Sequence, residues 1–142
     1  MEWTTTSSEE TRRRGRERAG QLRVGDLLLL TGELGTGKTT YVQGITEGLG
    51  ATTPATSPSF ILIHEYPFPG GVFRHLDLYR LSDPTLDVDR IGLPELLSDS
   101  SAITAVEWAD RVPLLPARSG RTIHVEFLHG ARPTERVIRM SP

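Results

Sequence analysis

Eight residues, Gly32-Glu33-Leu34-Gly35-Thr36-Gly37-Lys38-Thr39, leave the middle of this chain little choice of fold. They follow four consecutive leucines, Leu27 to Leu30, and precede Tyr41-Val42-x-x-Ile45-x-x-x-Leu49, a spacing that suits one face of a helix. The run satisfies G-x-x-x-x-G-K-[ST] in the strand–loop–helix setting that the pattern requires. Such a loop turns its backbone N–H groups, and the first turn of the helix behind it, toward an anion. Gly35 and Gly37 keep side chains off the surface where phosphate oxygens approach. The stretch from Glu33 through Leu34, Gly35, Thr36, Gly37, Lys38 and Thr39 to Thr40 is therefore the expected contact with a nucleoside triphosphate.

The basic residues point the same way. Of sixteen lysines and arginines, Lys38 is the single lysine. A compact ammonium on a flexible stem fits between the β- and γ-phosphates, whereas a guanidinium is wider and binds as a planar fork. The chain uses arginine everywhere except where this geometry excludes it. The hydroxyl of Thr39 is the expected ligand of Mg²⁺, which prefers oxygen donors and keeps several waters.

Hydrolysis needs a carboxylate at the end of a neighbouring strand. Glu107 ends the apolar run Ala102-Ile103-Thr104-Ala105-Val106, and Asp77 lies near the end of another predicted strand, in His75-Leu76-Asp77-Leu78-Tyr79-Arg80. Either could instead serve as a helix cap or a surface ion pair. Trp108 suits stacking on adenine or burial in the core. His75 is a candidate for proton transfer beside Asp77, or a hydrogen-bonded structural histidine. His64, His124 and His129 show no metal-ligand spacing. Arg132, Arg136 and Arg139 suit a solvated rim, with one of them reaching a phosphate or a base edge as the alternative.

With 142 residues, 37% hydrophobic and 24% charged, the chain reads as one soluble α/β domain over residues 1–142, with 1–7 an extended or flexible lead-in. A net charge of −2 gives no global basic field for DNA or RNA. The absence of cysteine excludes disulfides, thiolate chemistry and cysteine-based zinc sites. No apolar run approaches membrane-spanning length and the N-terminus lacks a signal-peptide pattern, so a cytoplasmic protein is expected.

Ser7-x-x-Glu10 predicts a capping box opening a helix from about Ser8 to Gln21, weakened by Gly15 and Gly20. Its Arg12-Arg13-Arg14-x-Arg16-x-Arg18 run suits a solvated face, with contact to tRNA or a partner protein as the alternative. A helix over Lys38–Leu49 should stop at Gly50. Thr52–Ser59 is a predicted loop, followed by strands over Ser59–Tyr66 and Val72–Tyr79 joined by a turn at Pro67–Gly71. Asp83-Pro84 signals a helix start, with one or two helices over Thr85–Ser98 carrying Ile91, Leu93, Leu96 and Leu97 inward. Ala102–Val106 reads as a buried strand. Pro113 and Pro116 break regular structure after Trp108, and Arg121–Leu128 with Arg136–Met140 form a closing hairpin. The sum is a P-loop NTPase domain with a mixed, mostly parallel central sheet, flanking helices and antiparallel hairpins.

The phosphate loop with Thr40, then Ser57-Pro58-Ser59-Phe60, then His75-x-Asp77-Leu78-Tyr79-Arg80-Leu81, then Val106-Glu107-Trp108, occur in an order and at spacings that resemble the TsaE family. These are small bacterial P-loop ATPases of tRNA threonylcarbamoyladenosine biosynthesis, and the resemblance spans about Ser8 to Met140. It implies ATP and Mg²⁺ as cofactors, with Thr39 and Glu107 as metal ligands. It implies catalytic roles for Asp77, Glu107 and Lys38, a switch-like segment at Ser57–Phe60, and Trp108 near the nucleotide. Ser8–Thr11 and Arg136 match further positions near the nucleotide. It implies a TsaB–TsaD-like heterodimer as partner, with tRNA reached through that complex, and no DNA or membrane partner. Ala109 stands where the family often has proline, and Ser59 where threonine is common.

Other readings meet specific obstacles. A guanine-reading N-K-x-D motif needs a second lysine, and an ABC-type ATPase needs an L-S-G-G-Q run; neither is present. A small-molecule kinase would need a second substrate pocket and an arginine-bearing lid, for which Arg74, Arg80 and Arg90 are the available residues. A non-hydrolytic module would use ATP only to order the Thr52–Ser59 loop.

Overall fold

The computed structural model describes residues 1–33, 35–51, 55–56, 62–79, 92–111 and 120–141. These build eight strands in one sheet, β1 (Glu2–Thr5), β2 (Leu27–Gly32), β3 (Ala55–Thr56), β4 (Leu62–Phe68), β5 (Gly71–Asp77), β6 (Ile103–Glu107), β7 (Thr122–His129) and β8 (Arg136–Ser141). Helices α1 (Ser8–Ala19), α2 (Lys38–Leu49) and α3 (Leu93–Ser98), with a 3-10 turn at Ala109–Arg111, complete the described elements. The strand order is β1-β8-β7-β2-β6-β5-β4-β3. The centre, β7-β2-β6-β5, is parallel, and both flanks are antiparallel. The α/β class with a parallel centre and antiparallel hairpins is the expected one.

A strand in the middle of a sheet covered on both sides must be apolar at every position. The four leucines of β2 satisfy this. Leu28 and Leu30 join Tyr41, Val42, Ile45, Phe73 and Phe127 under α1 and α2, while Leu27 and Leu29 join Leu76, Val106, Leu93 and Leu97 on the opposite face. Strand β7 alternates instead, burying Ile123, Val125 and Phe127 and exposing the residues between them.

Helix α1 begins where expected, with Ser7 Oγ accepting from the Glu10 N–H at 3.1 Å. The return bond of the capping box is displaced by one residue: Glu10 Oε2 accepts from the Thr6 N–H at 2.6 Å. The helix ends at Ala19, two residues before the predicted limit. Its Gly15 is a packing residue rather than only a weakness. A Cβ there would overlap the Tyr41 carbonyl, and one on Gly44 of α2 would overlap the Arg12 carbonyl. The two backbones meet through these glycines. The arginine run divides accordingly. Arg16 pairs with Glu47 at 3.0 Å and Arg12 bonds Gln43 at 3.1 Å across to α2, while Arg14 lies over the Trp3 ring.

Within the expected extended or flexible lead-in, Glu2–Thr5 is extended and pairs antiparallel with Arg136–Arg139 as an edge strand. Three expectations are corrected. Ala55 and Thr56, inside the predicted loop Thr52–Ser59, form a two-residue strand paired with Glu65 and His64 of β4. The turn of the first hairpin is shorter than Pro67–Gly71, since Pro67 opposes Val72 and Phe68 opposes Gly71 inside the ladder. Strand β5 ends at Asp77, before Tyr79. The start of the strand predicted over Ser59–Tyr66, the helix start at Asp83-Pro84, the helical residues 85–91 and the breaks at Pro113 and Pro116 lie outside the described residues. No described helix is long and apolar enough to cross a membrane.

Candidate functional site

The cleft sits at the C-terminal ends of the parallel strands, where an open α/β sheet places its ligands. Its volume is about 380 Å³, and it is lined by the phosphate loop, Thr39, Thr40, Asp77, Tyr79, Glu107, Trp108, Ser7, Ser8, Thr11, Pro133, Thr134 and Arg136. Leu34 lies outside the described residues, as do Ser57–Phe60.

The loop's geometry comes from its glycines. Gly35 and Gly37 have φ of 77° and 100°, values that side chains rarely adopt. Gly37 is the N-cap of α2 and provides no side-chain acceptor, so the opening amides of the helix lack a side-chain cap. Such amides with a helix dipole behind them favour an anion. Thr36, buried, donates its hydroxyl to the Glu33 carbonyl at 2.6 Å and pins the turn. Glu33 contributes its backbone, for its side chain is exposed and 3.8 Å from His129.

Lys38 is 4% exposed and folds back along the loop. Its ammonium donates to the Gly32 carbonyl at 2.6 Å and the Glu33 carbonyl at 2.9 Å. Burial lowers its pKa from the ordinary lysine value, against the opposing pull of Glu107, Asp77 and Asp110. A charge held this way gains from a nearby polyanion.

Two carboxylates face the loop from adjacent strands, in register: Asp77 at the end of β5 is opposite Glu107 at the end of β6. Glu107 is 2% exposed. Its oxygens lie 2.9 and 3.0 Å from Thr39 Oγ1, at the start of α2. The Nε2 of His75 lies 2.5 Å from Glu107 Oε2. Asp77 is more open, and its Oδ1 accepts from the Tyr79 N–H at 3.0 Å.

Trp108 comes directly after Glu107 with φ of 60°, the one non-glycine residue with positive φ among those described. A side chain in that conformation costs on the order of 1–3 kcal/mol, and such strain collects at functional sites. Its effect here is to lay the indole over Lys38, with Nζ 4.2 Å from the ring centroid. Tyr79 packs against the same indole at 5.0 Å. Trp108 is thus neither wholly core nor free of it: it is partly buried against the α3 face and roofs the ammonium.

The other side of the loop belongs to α1 and β8. Thr11 shares a 2.8 Å hydroxyl contact with Thr5 and packs its methyl toward Gly37. Arg136 donates to the Gly35 carbonyl at 3.1 Å. Of the other two arginines considered, Arg139 pairs with Glu2 at 2.7 Å and Arg132 with Glu135 at 3.5 Å. Pro133 and Thr134, in the β7–β8 turn, line the cleft without any signal in the sequence; they enter only because β8 folds back beside β7. The contact between His75 and Glu107 was equally hidden, because it needs the register of β5 against β6. The histidine's alternation with Phe73 and Asp77 was the available clue.

The donor set suits a hard divalent cation. A hydroxyl and a buried carboxylate, both oxygen donors, converge within 3.0 Å beside the anion-seeking loop.

The sequence pattern of the family described as threonylcarbamoyl adenosine biosynthesis protein TsaE matches residues 5–138 of this chain. The tRNA threonylcarbamoyladenosine biosynthesis protein TsaE of Synechocystis sp. is 41% identical over 121 residues, 83% of this chain and 76% of that protein. The protein of the same name from Bacillus subtilis is 38% identical over 109 residues, 77% of this chain and 66% of its own length. The crystal structure of Bacillus subtilis YdiB superposes with a TM-score of 0.73 and 31% identity, covering 97% of this chain and 82% of that one.

Proposed function

The chain belongs to the TsaE family of tRNA threonylcarbamoyladenosine biosynthesis, and from that premise we propose that it is a Mg²⁺-dependent ATPase supporting turnover of a TsaB–TsaD-like transferase. The observation that carries this reading is the contact between Thr39 and Glu107. These residues lie on different elements, 68 positions apart, yet their oxygens meet at 2.9 Å beside the phosphate loop. That is the arrangement in which a P-loop hydroxyl and a strand-end carboxylate share a metal.

In this reading the triphosphate lies along the loop, held by the amides of Gly35 to Thr40. Lys38 exchanges its bonds to the Gly32 and Glu33 carbonyls for the β- and γ-phosphates. The base lies toward Thr11, Pro133, Thr134 and Arg136, because Trp108 and Tyr79 occupy the opposite side. Trp108 then shields the terminal phosphates from bulk water instead of stacking on adenine. Thr39 and Glu107 would hold Mg²⁺, which supplies charge neutralisation on the phosphate oxygens. Asp77, more open than Glu107 and beside it, accepts a hydrogen bond from the attacking water and orients it. The water oxygen bonds the γ-phosphorus as the bond to the β–γ bridging oxygen breaks; one water proton stays on the phosphate product, the other passes to the Asp77 carboxylate and then to solvent, and ADP and hydrogen phosphate leave.

Phosphate release tests the reading. It should require Mg²⁺, rise when a TsaB–TsaD pair is added, and deliver phosphate to water. Phosphate transfer to a metabolite would replace the reading with a kinase. Tight Mg²⁺-ATP binding without release, even with the pair present, would leave a nucleotide-dependent binding module.

A further inference from the structure

We propose that His75 is the positioning residue for the Glu107 carboxylate, an inference that rests on the Mg²⁺-ATPase reading above. A carboxylate only accepts hydrogen bonds, so the 2.5 Å contact between His75 and Glu107 Oε2 makes Nε2 the donor. Thr39 reaches both oxygens of the same carboxylate, at 2.9 and 3.0 Å. The carboxylate is therefore held from two sides. His75 ties Oε2 from β5, while Thr39 reaches Oε1 and Oε2 from the start of α2.

The ring itself is fixed. His75 is 7% exposed, sits on β5 opposite Ala105, and shares a face with Phe73 and Asp77. His64, on the neighbouring strand β4, stacks on it with centroids 6.3 Å apart and planes inclined by 28°. The strand ladder thus sets the imidazole, and the imidazole sets the carboxylate. Without the donor, a buried glutamate retains several rotamers, and only some of them aim an oxygen at Thr39. Partners behind metal-binding side chains commonly contribute roughly 10–100-fold to metal affinity by this means.

Two substitutions separate the hydrogen bond from the packing of the ring. His75→Phe keeps a ring against His64 and removes the donor; His75→Gln keeps a donor and removes the ring. The readout is the affinity of a fluorescent methylanthraniloyl-ATP, measured in EDTA and across a Mg²⁺ titration, with melting temperatures recorded for each protein. Wild type should tighten on adding Mg²⁺. His75→Phe should bind the metal-free nucleotide within about twofold of wild type but need roughly tenfold more Mg²⁺ to reach its midpoint. His75→Gln should recover most of that difference even if it melts earlier. His75→Ala serves the same comparison if the phenyl ring is not accommodated. An unchanged Mg²⁺ midpoint in His75→Phe, or a loss in His75→Gln as large as in His75→Phe, overturns the proposal. A wild-type protein whose affinity ignores Mg²⁺ overturns the metal-dependent reading itself, and is recognised before any variant is compared.

Discussion

The phosphate loop is made of consecutive residues, Gly32 to Thr40, whereas the ledge facing it takes Asp77 from β5 and Glu107 and Trp108 from β6 and its end. The loop works largely through backbone: positive-φ glycines, an uncapped helix start and carbonyls that hold Lys38. The ledge works through side chains whose positions depend on strand register. The groups proposed for binding lie in one local motif, while the groups proposed for hydrolysis are assembled from distant parts of the chain. Binding and hydrolysis should therefore fail separately.

The first way to break that separation is at Thr39, the proposed metal ligand of the loop. Thr39→Ala should weaken Mg²⁺-ATP on the order of 10–100-fold, since a charge-assisted contact is worth about 1.5–3 kcal/mol. Metal-free ATP should be much less affected. Equal losses with and without Mg²⁺ in a titration would remove Thr39 from the metal site. Lys38→Arg tests the loop proper. It keeps the charge but should lose on the order of tenfold in triphosphate affinity, because the guanidinium cannot take the path of the ammonium. Binding within about twofold of wild type by calorimetry would refute the geometric argument.

A third substitution leaves the chemistry alone. Gly44→Val would force α2 away from the Arg12 carbonyl. Overpacking of this kind costs about 1–3 kcal/mol, read as a lower denaturation midpoint. Because α1 lends Thr11 to the loop, nucleotide affinity should fall with it. Full stability would mean that the helices can part at no cost.

The smallest effect is expected at the other end of β2. Asp26 is buried, which by itself raises its pKa, but the guanidinium of Arg121 and the Arg23 N–H hold it below the ordinary carboxylate value. The Arg121 bonds are 2.6 and 2.9 Å long. A depressed carboxylate contributes stability above its unfolded value and loses it as pH falls through the folded one. Arg121→Gln should therefore cost about 1 kcal/mol at neutral pH, with the guanidinium half in solvent. The difference from wild type should shrink in acid below that lowered value, and nucleotide affinity should not change. A constant difference across that acid range would assign the effect to something other than the ion pair.

The same contrast explains what could be read from the sequence. The strand–loop–helix unit was legible because its determinants are contiguous: Leu27–Leu30, the glycines, and Gly50 with φ of 72° at the helix end. The alternation of β7 and the buried run of β6 were legible for the same reason. Strand β1 was not, because nothing near Glu2 signals a partner at Arg139. Gly15 read as a helix weakness because its role lies on another helix. Asp77 and Glu107 could be nominated as strand-end carboxylates, but not their mutual register. His75 could be placed beside Asp77 in sequence, yet its hydrogen bond goes across the sheet to Glu107. Trp108 carried no sign of its backbone conformation, which is what turns it onto Lys38.

The most direct test of a binding loop opposed by a hydrolytic ledge is Asp77→Asn, assayed for ATP affinity and for phosphate release with a TsaB–TsaD pair present. The account predicts Mg²⁺-ATP affinity within about threefold of wild type and phosphate release lower by on the order of 10²–10⁴-fold, the usual weight of a positioned proton-accepting group. Release at the wild-type rate, or affinity and release falling together by the same factor, would contradict it.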